Sequence, residues 1–194
     1  MNKILERSLI ESRAVHEELY GTSTWKSILL EVVGRTVESL AIGGKVLFAG
    51  NGGSAADAQH LSAEFTGRFN YDRAPLFSEA LHCNTSYLTA VANDYSYDEV
   101  YARLLRGIGR KGDILFGLST SGNSANLLRA FATARELGIL TVAMTGRGGG
   151  KMRELADFCL EVPSNQTPRI QECHILMGHL YCELVEREVF PRES

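Results

Sequence analysis

Apolar residues recur at approximate helical spacing along the first forty or so positions, at Ile4, Leu5, Leu9, Ile10, Val15 and Leu19, with charged residues between them. Gly21-Thr22-Ser23-Thr24 interrupts the pattern, Ile28, Leu29, Val32, Val33, Val37, Leu40 and Ala41 restart it, and Gly43-Gly44 ends it. This predicts two amphipathic helices whose apolar stripes pack on the domain body or on another subunit. From Lys45 onward the rhythm changes. Short apolar runs alternate with helical stretches, the signature of βαβ units and a parallel sheet. Strands are predicted at 45–49, 78–81, 113–118, 140–144 and 158–162, with helices at 54–66, 85–92, 97–107, 123–136, 150–155 and 168–189. The expected class is α/β: a doubly wound domain whose five-stranded parallel sheet is flanked by helices. Residues 1–42 form an N-terminal helical segment for oligomer packing, and 43–194 form the core of the same single domain.

Composition narrows the partners. A formal charge of -3 provides no overall basic field for nucleic acid or an anionic membrane, and no apolar run approaches the roughly 18 residues of a membrane span. The charged start, Met1-Asn2-Lys3-Ile4-Leu5-Glu6-Arg7, lacks the apolar core of a secretory signal. Cys83, Cys159, Cys173 and Cys182 are widely spaced and form no CxxC pair. A soluble cytoplasmic protein is expected.

Candidate chemistry lies in the loops after the strands, where helix N-termini of a doubly wound sheet offer free N–H groups. Three such loops are small and polar: Gly50-Asn51-Gly52-Gly53-Ser54, Ser119-Thr120-Ser121-Gly122-Asn123-Ser124 and Thr145-Gly146-Arg147-Gly148-Gly149-Gly150. The middle loop packs four hydroxyls into six residues between an apolar strand and a helical run. Converging hydroxyl and backbone donors can satisfy a phosphate without a lysine, although Ser and Asn also serve ordinary turns and caps. The loop is not a Walker motif, for it lacks Gly-Lys-Ser/Thr, and Gly50-Asn51-Gly52-Gly53 is not the dinucleotide GxGxxG.

A strand, then Ser-Thr-Ser-Gly-Asn-Ser, then a helix resembles the sugar isomerase (SIS) domain, a phosphosugar-binding fold. Five strings in order look specifically like the bacterial phosphoheptose isomerase family: residues 50–60 (GNGGSAADAQH), 64–69 (EFTGRF), 92–95 (ANDY), 119–126 (STSGNSAN) and 169–172 (RIQE). That resemblance implies interconversion of sedoheptulose 7-phosphate and glycero-manno-heptose 7-phosphate, the opening step toward ADP- or GDP-heptose. It also implies a homotetramer with sites at subunit junctions, and zinc, one per subunit. The positions that match the family's substrate contacts are Asn51, Gly52, Gly53, Glu64, Asn93, Asp94, Ser119, Thr120, Ser121, Ser124 and Gln171. Ser54 closes the first loop and joins this set. Those that match its zinc ligands are His60, Glu64, Gln171 and His179.

Ketose–aldose isomerisation moves a proton between C1 and C2 through an enediol(ate), and needs a base, an acid near the two oxygens, and exclusion of water. Glu64 is the candidate base. It stands four residues after His60, so both project from one helix face. His179, in Met177-Gly178-His179-Leu180-Tyr181, is the candidate general acid. His60 and Glu64 have ligand spacing that suits zinc, whereas Gln171 and His179 lie eight residues apart, roughly 12 Å along a helix. These two either bracket one ion or enter sites in different subunits. Zinc would organise the site, act as Lewis acid, or leave when substrate binds. Asp94 serves ring opening or binds a hydroxyl, or forms a turn with Asn93. Arg68 either steers the phosphate or pairs with an acid. His16, His82 and His174 are expected to be structural. Pro168 stands where an acidic residue occurs in some relatives; it suits a helix start but removes a polar contact.

Two other functions fit the pattern less well. One is a non-catalytic SIS-fold tetramer that binds the replication initiator, which Asp98-Glu99-Val100-Tyr101-Ala102 and Phe190-Pro191 resemble. Such a scaffold has no need of Glu64 and His179 together. The other is an isomerase of a different sugar phosphate.

Overall fold

The computed structural model describes residues 1–192. Two helices come first, α1 (Asn2–Gly21) and α2 (Thr24–Ala41), followed by β1 (Val46–Gly50), α3 (Gly53–Thr66), β2 (Ser78–Ala80) and α4 (Thr85–Asp94). A 3-10 turn (Tyr97–Glu99) leads into α5 (Val100–Ile108), β3 (Ile114–Ser119), α6 (Ala125–Leu137), β4 (Leu140–Thr145), α7 (Met152–Leu155), β5 (Phe158–Glu161) and α8 (Thr167–Val189). The five strands are all parallel, in the order β2-β1-β3-β4-β5.

Pattern and structure differ mainly at helix starts. The run expected at 97–107 divides into the 3-10 turn and α5. Helix α6 starts at Ala125 rather than 123 because Ser124 is its extended N-cap, at φ -64° and ψ 117°. Pro168 lies in the first turn of α8, as its missing N–H allows.

Side-chain alternation sorts the core into two layers. Val46, Phe48, Ile114, Phe116 and Leu118 point to the face covered by α2, α3 and α8, while Leu47, Ala49 and Leu115 point to the face covered by α4, α5 and α6. Strands β1 and β3 are buried throughout, as central parallel strands covered on both faces must be. At the sheet's far end, buried Lys45 and Asp113 pair at 2.6 Å, away from the polar loops.

The pair α3 and α8 positions the chemistry. They run side by side in the same direction, with Gly53 against Gln171, Leu61 against Gly178, and the rings of Phe65 and Tyr181 5.5 Å apart. A methyl group on Gly178 would lie 2.6 Å from both Leu61 methyls, so glycine is what lets the helices approach this closely. Beyond α3, buried Glu186 accepts from the Phe69 and Asn70 N–H groups and pairs with Arg73 at 3.0 Å, which ties the post-α3 turn to α8. Helix α1 contributes only Leu19 to the buried core; Ile4, Leu5, Leu9 and Ile10 stay exposed.

Candidate active site

The chain order reverses between β1 and β3, so the loops that leave their carboxyl ends flank the switch point of the sheet. After β1, Gly52 takes φ +57° and ψ -123°, a conformation favouring glycine, and turns the chain directly into α3. After β3, the serine loop folds on itself. Ser119 Oγ lies 3.0 Å from Ser124 Oγ and 3.5 Å from Ser121 Oγ, while Asn123 Nδ2 donates to the Ser121 carbonyl at 2.8 Å.

These loops form the wall of an open cavity of about 230 Å³. Asn51, Gly53, Ser54, Ser119, Thr120, Ser121, Ser124 and Gln171 line it, with Thr167 and Leu118. None of these is lysine or arginine. Instead, α3 starts at Gly53, α6 follows its Ser124 cap, and α8 starts at Thr167, so three helix N-termini meet at the cavity. Free backbone N–H groups and hydroxyls together suit a phosphate. Thr167 escaped notice in the sequence, where Pro168 drew attention to a lost polar contact. A polar residue one position earlier restores polar lining to the pocket.

The second cluster lies farther along α3 and α8. His60 Nε2 is 3.0 Å from His179 Nε2 and 3.2 Å from Glu64 Oε1. One ligand atom from each of His60, Glu64 and His179 falls within 4.8 Å of the others. A tetrahedral ion with bonds of about 2.0–2.1 Å needs donors about 3.3 Å apart, so two imidazoles and a carboxylate at these separations fit zinc with one position open. The Glu64 side chain is 23% exposed, neither sealed off nor free in solvent.

Asp57 belongs beside this cluster, although sequence reasoning passed it over. Its Oδ2 is buried without a hydrogen-bond partner among the described residues, and burial raises its carboxyl above the usual range against the pull of His60 and His179. The i, i+3 spacing to His60 was the signal that could have found it.

The remaining expected residues lie outside the His60–Glu64–His179 group. The Gln171 amide lies against Gly53, where a Cβ would come within 2.4 Å of its Nε2, and so faces the phosphate cavity within its own chain. Asn93 and Asp94 are exposed at the end of α4, with Asn93 Nδ2 donating to Asp94 Oδ1 at 2.9 Å. Exposed Arg68 makes no ion pair among the described residues; Arg73 instead takes the acid of α8. His174 is fully buried with Nε2 3.2 Å from the Thr145 carbonyl oxygen, and His16 Nδ1 lies 2.8 Å from the Ser12 carbonyl oxygen, both in structural settings.

The family model described as the SIS domain matches residues 14–146. A phosphoheptose isomerase of Sulfurimonas denitrificans is 47% identical over 98% of this chain and 97% of its own length. The chain belongs to the phosphoheptose isomerase family. Another member, from Akkermansia muciniphila, is 57% identical over 79% of this chain and 81% of its own. Among solved structures, the phosphoheptose isomerase of Neisseria gonorrhoeae superimposes with a TM-score of 0.89 at 39% identity, covering 95% of this chain and 98% of that one. That of Francisella tularensis gives 0.91 at 31% identity, covering 95% and 97%. Phosphoheptose isomerases thus match both the helical N-terminal segment and the α/β core.

Proposed function

We propose that this chain isomerises sedoheptulose 7-phosphate to D-glycero-D-manno-heptose 7-phosphate through an enediol(ate). The observation that carries the reading is the shared scaffold of the two clusters: the cationless cavity and the His60–Glu64–His179 group both lie along α3 and α8. The cavity holds the phosphate through Ser119, Thr120, Ser121, Ser124 and the helix N-termini, and Asn51, Gly52, Gly53, Ser54 and Gln171 contact the rest of the substrate. Asn93, Asp94 and Arg68, all exposed, would contact the remainder of the sugar.

Glu64 takes the proton from one of C1 and C2 and returns it to the other, while His179 gives and accepts protons at the two oxygens. His60, Glu64 and His179 would hold zinc, one per subunit, with Gln171 joining from the same or a neighbouring chain. When bound, zinc supplies a Lewis acid for the sugar oxygens. His179 Nε2 cannot carry a proton and a metal at once, so metal content and turnover are separate measurements.

The exposed Ile4, Leu5, Leu9 and Ile10 of α1 support a homotetramer, and one domain spanning 1–194 accommodates both clusters. No helix among the described residues is long and apolar enough to cross a membrane, and a cytoplasmic setting suits a sugar-phosphate substrate. A scaffold role leaves the convergence of two imidazoles and a carboxylate unused.

The test offers sedoheptulose 7-phosphate and fructose 6-phosphate to metal-depleted and zinc-restored protein. Heptose product with little turnover of the hexose supports the reading. Product from neither substrate in either form rejects it.

A further inference from the structure

Asn51 sits in a hydrogen-bonded frame that joins the two loops. Its Nδ2 donates to Asn126 Oδ1 at 3.0 Å, and Asn126 Nδ2 donates back to Asn51 Oδ1 at 2.9 Å. The Tyr97 hydroxyl donates to the same Asn51 Oδ1 at 3.0 Å. Asn126 is only 3% exposed and stands two positions after the Ser124 cap, so the closed amide pair links the β1 loop to the helix behind the serine loop.

Counting donors and acceptors defines what Asn51 can still offer. An amide oxygen accepts two hydrogen bonds and an amide nitrogen donates two. Asn126 and Tyr97 fill both acceptor positions of Asn51 Oδ1, and Asn126 takes one Nδ2 proton. One N–H remains. Were both amides rotated together, their mutual pair would survive, but Asn51 would present its oxygen instead of that N–H. Tyr97 favours the first of these states, because its phenolic hydroxyl is a better donor than acceptor and the Asn51 amide oxygen is the better acceptor.

The tyrosine is itself held in place. Arg129 of α6 pairs with Glu99 and, at 3.8 Å, with Asp98, which fastens the 3-10 turn carrying Tyr97 to the helix carrying Asn126. One helical turn onward, buried Tyr101 donates its hydroxyl to the Gly50 carbonyl. Residues four apart, Tyr97 and Tyr101, thus hold the consecutive residues Asn51 and Gly50.

We propose that Tyr97 and Asn126 are positioning residues that fix the Asn51 amide with one N–H free to donate to an oxygen of the bound sugar phosphate. This rests on reading Asn51 as a substrate contact, and it adds what sets that contact's polarity. Neither residue touches the substrate; both act through Asn51.

The test is a double-mutant cycle on equilibrium binding of sedoheptulose 7-phosphate, read by calorimetry on the zinc-restored protein, with turnover measured alongside. Asn51→Ala and Asn126→Ala should each weaken binding by about 10-fold or more, and Tyr97→Phe by about 5-fold, the usual worth of one hydrogen bond. In the Asn51→Ala background, Tyr97→Phe and the uncharged Asn126→Ala should change binding less than 2-fold, because the group they orient is gone; a general structural role would persist. Equal losses in both backgrounds, or wild-type binding by Tyr97→Phe, overturn the positioning role. Wild-type binding by Asn51→Ala removes the substrate contact and this inference with it. Binding without turnover rejects the isomerase reading alone, whereas no binding by the parent protein rejects both.

Discussion

His60 Nε2 stands 3.0 Å from His179 Nε2, although 119 positions separate them in the chain. Two bare imidazole lone pairs cannot face each other at that distance, so a shared proton or a metal ion must lie between them. The close packing of α3 on α8 therefore brings two imidazole nitrogens together with Glu64 Oε1, 3.2 Å from His60 Nε2, as three converging donor atoms.

Metal content should follow these donors. After zinc loading and dialysis, the parent protein should retain about one zinc per chain by elemental mass spectrometry, and His60→Ala or His179→Ala less than about a tenth of that. Full retention by both variants would move the metal elsewhere.

Glu64→Gln keeps the shape of the side chain and removes its basicity. Turnover should fall by about 10²–10⁴-fold, the range of a general base, with circular dichroism unchanged. Proton exchange at C1 and C2 in D2O, followed by NMR, should fall in parallel. Activity within 10-fold of the parent would exclude Glu64 as the base.

The serine cradle should act on binding. Ser124→Ala removes a hydroxyl that lies 3.0 Å from Ser119 Oγ, and should raise KM by about 5–10-fold with a smaller effect on kcat. Inorganic phosphate should inhibit this variant correspondingly less. An unchanged KM would mean that the phosphate rests on the helix N-termini without this hydroxyl.

Glycines in different surroundings should give opposite results. Gly178→Ala places a methyl 2.6 Å from Leu61 and should cost about 1–3 kcal/mol in urea unfolding while impairing the paired histidines. Gly34→Ala, in α2 where an added Cβ meets nothing beyond its own helix within 4 Å among the described residues, should stabilise by about 0.5–1 kcal/mol and leave turnover unchanged. Equal effects would show that close approach of α3 and α8 is not under steric control.

Acid sensitivity should trace to His174. Burial lowers its pKa from 6.5 to about 4, against the raising effect of its bond to the Thr145 carbonyl. The folded group stays neutral while the unfolded one gains a proton below about 6.5, so the unfolded state binds more protons between those values. Its contribution, about 3 kcal/mol from the size of the shift, is complete above the unfolded value and lost as pH falls through the folded one. His174→Gln, which retains a donor for the Thr145 carbonyl, should flatten the pH 4–7 limb of a urea-stability profile. An equally steep limb in the variant would assign the effect to other groups.

Much of this molecule is legible along the chain because helix and strand periods are local. The run from Ile28 to Ala41 repeats at helical spacing and forms α2, and the apolar run ending at Leu118 forms β3 before the serine loop. His60 and Glu64 are paired by the helix repeat alone, four residues apart on α3. The serine loop, too, announces its hydroxyls and its place before a helix.

Contacts between elements carry no such local mark. That His179 meets His60 while Gln171 meets Gly53 follows from α8 running parallel to α3, with Gly178 opposite Leu61 setting their approach. Asp57, Thr167, Tyr97 and Asn126 read as an ordinary helix acid, a hydroxyl before a proline, an exposed aromatic and a helix amide. Their roles arise when helices from both faces of the sheet converge on the switch point between β1 and β3. Periodicity tells each element which side to bury. Which side chains then confront one another depends on packing across more than a hundred residues of chain, where only burial, steric fit and satisfied polar groups select the partner.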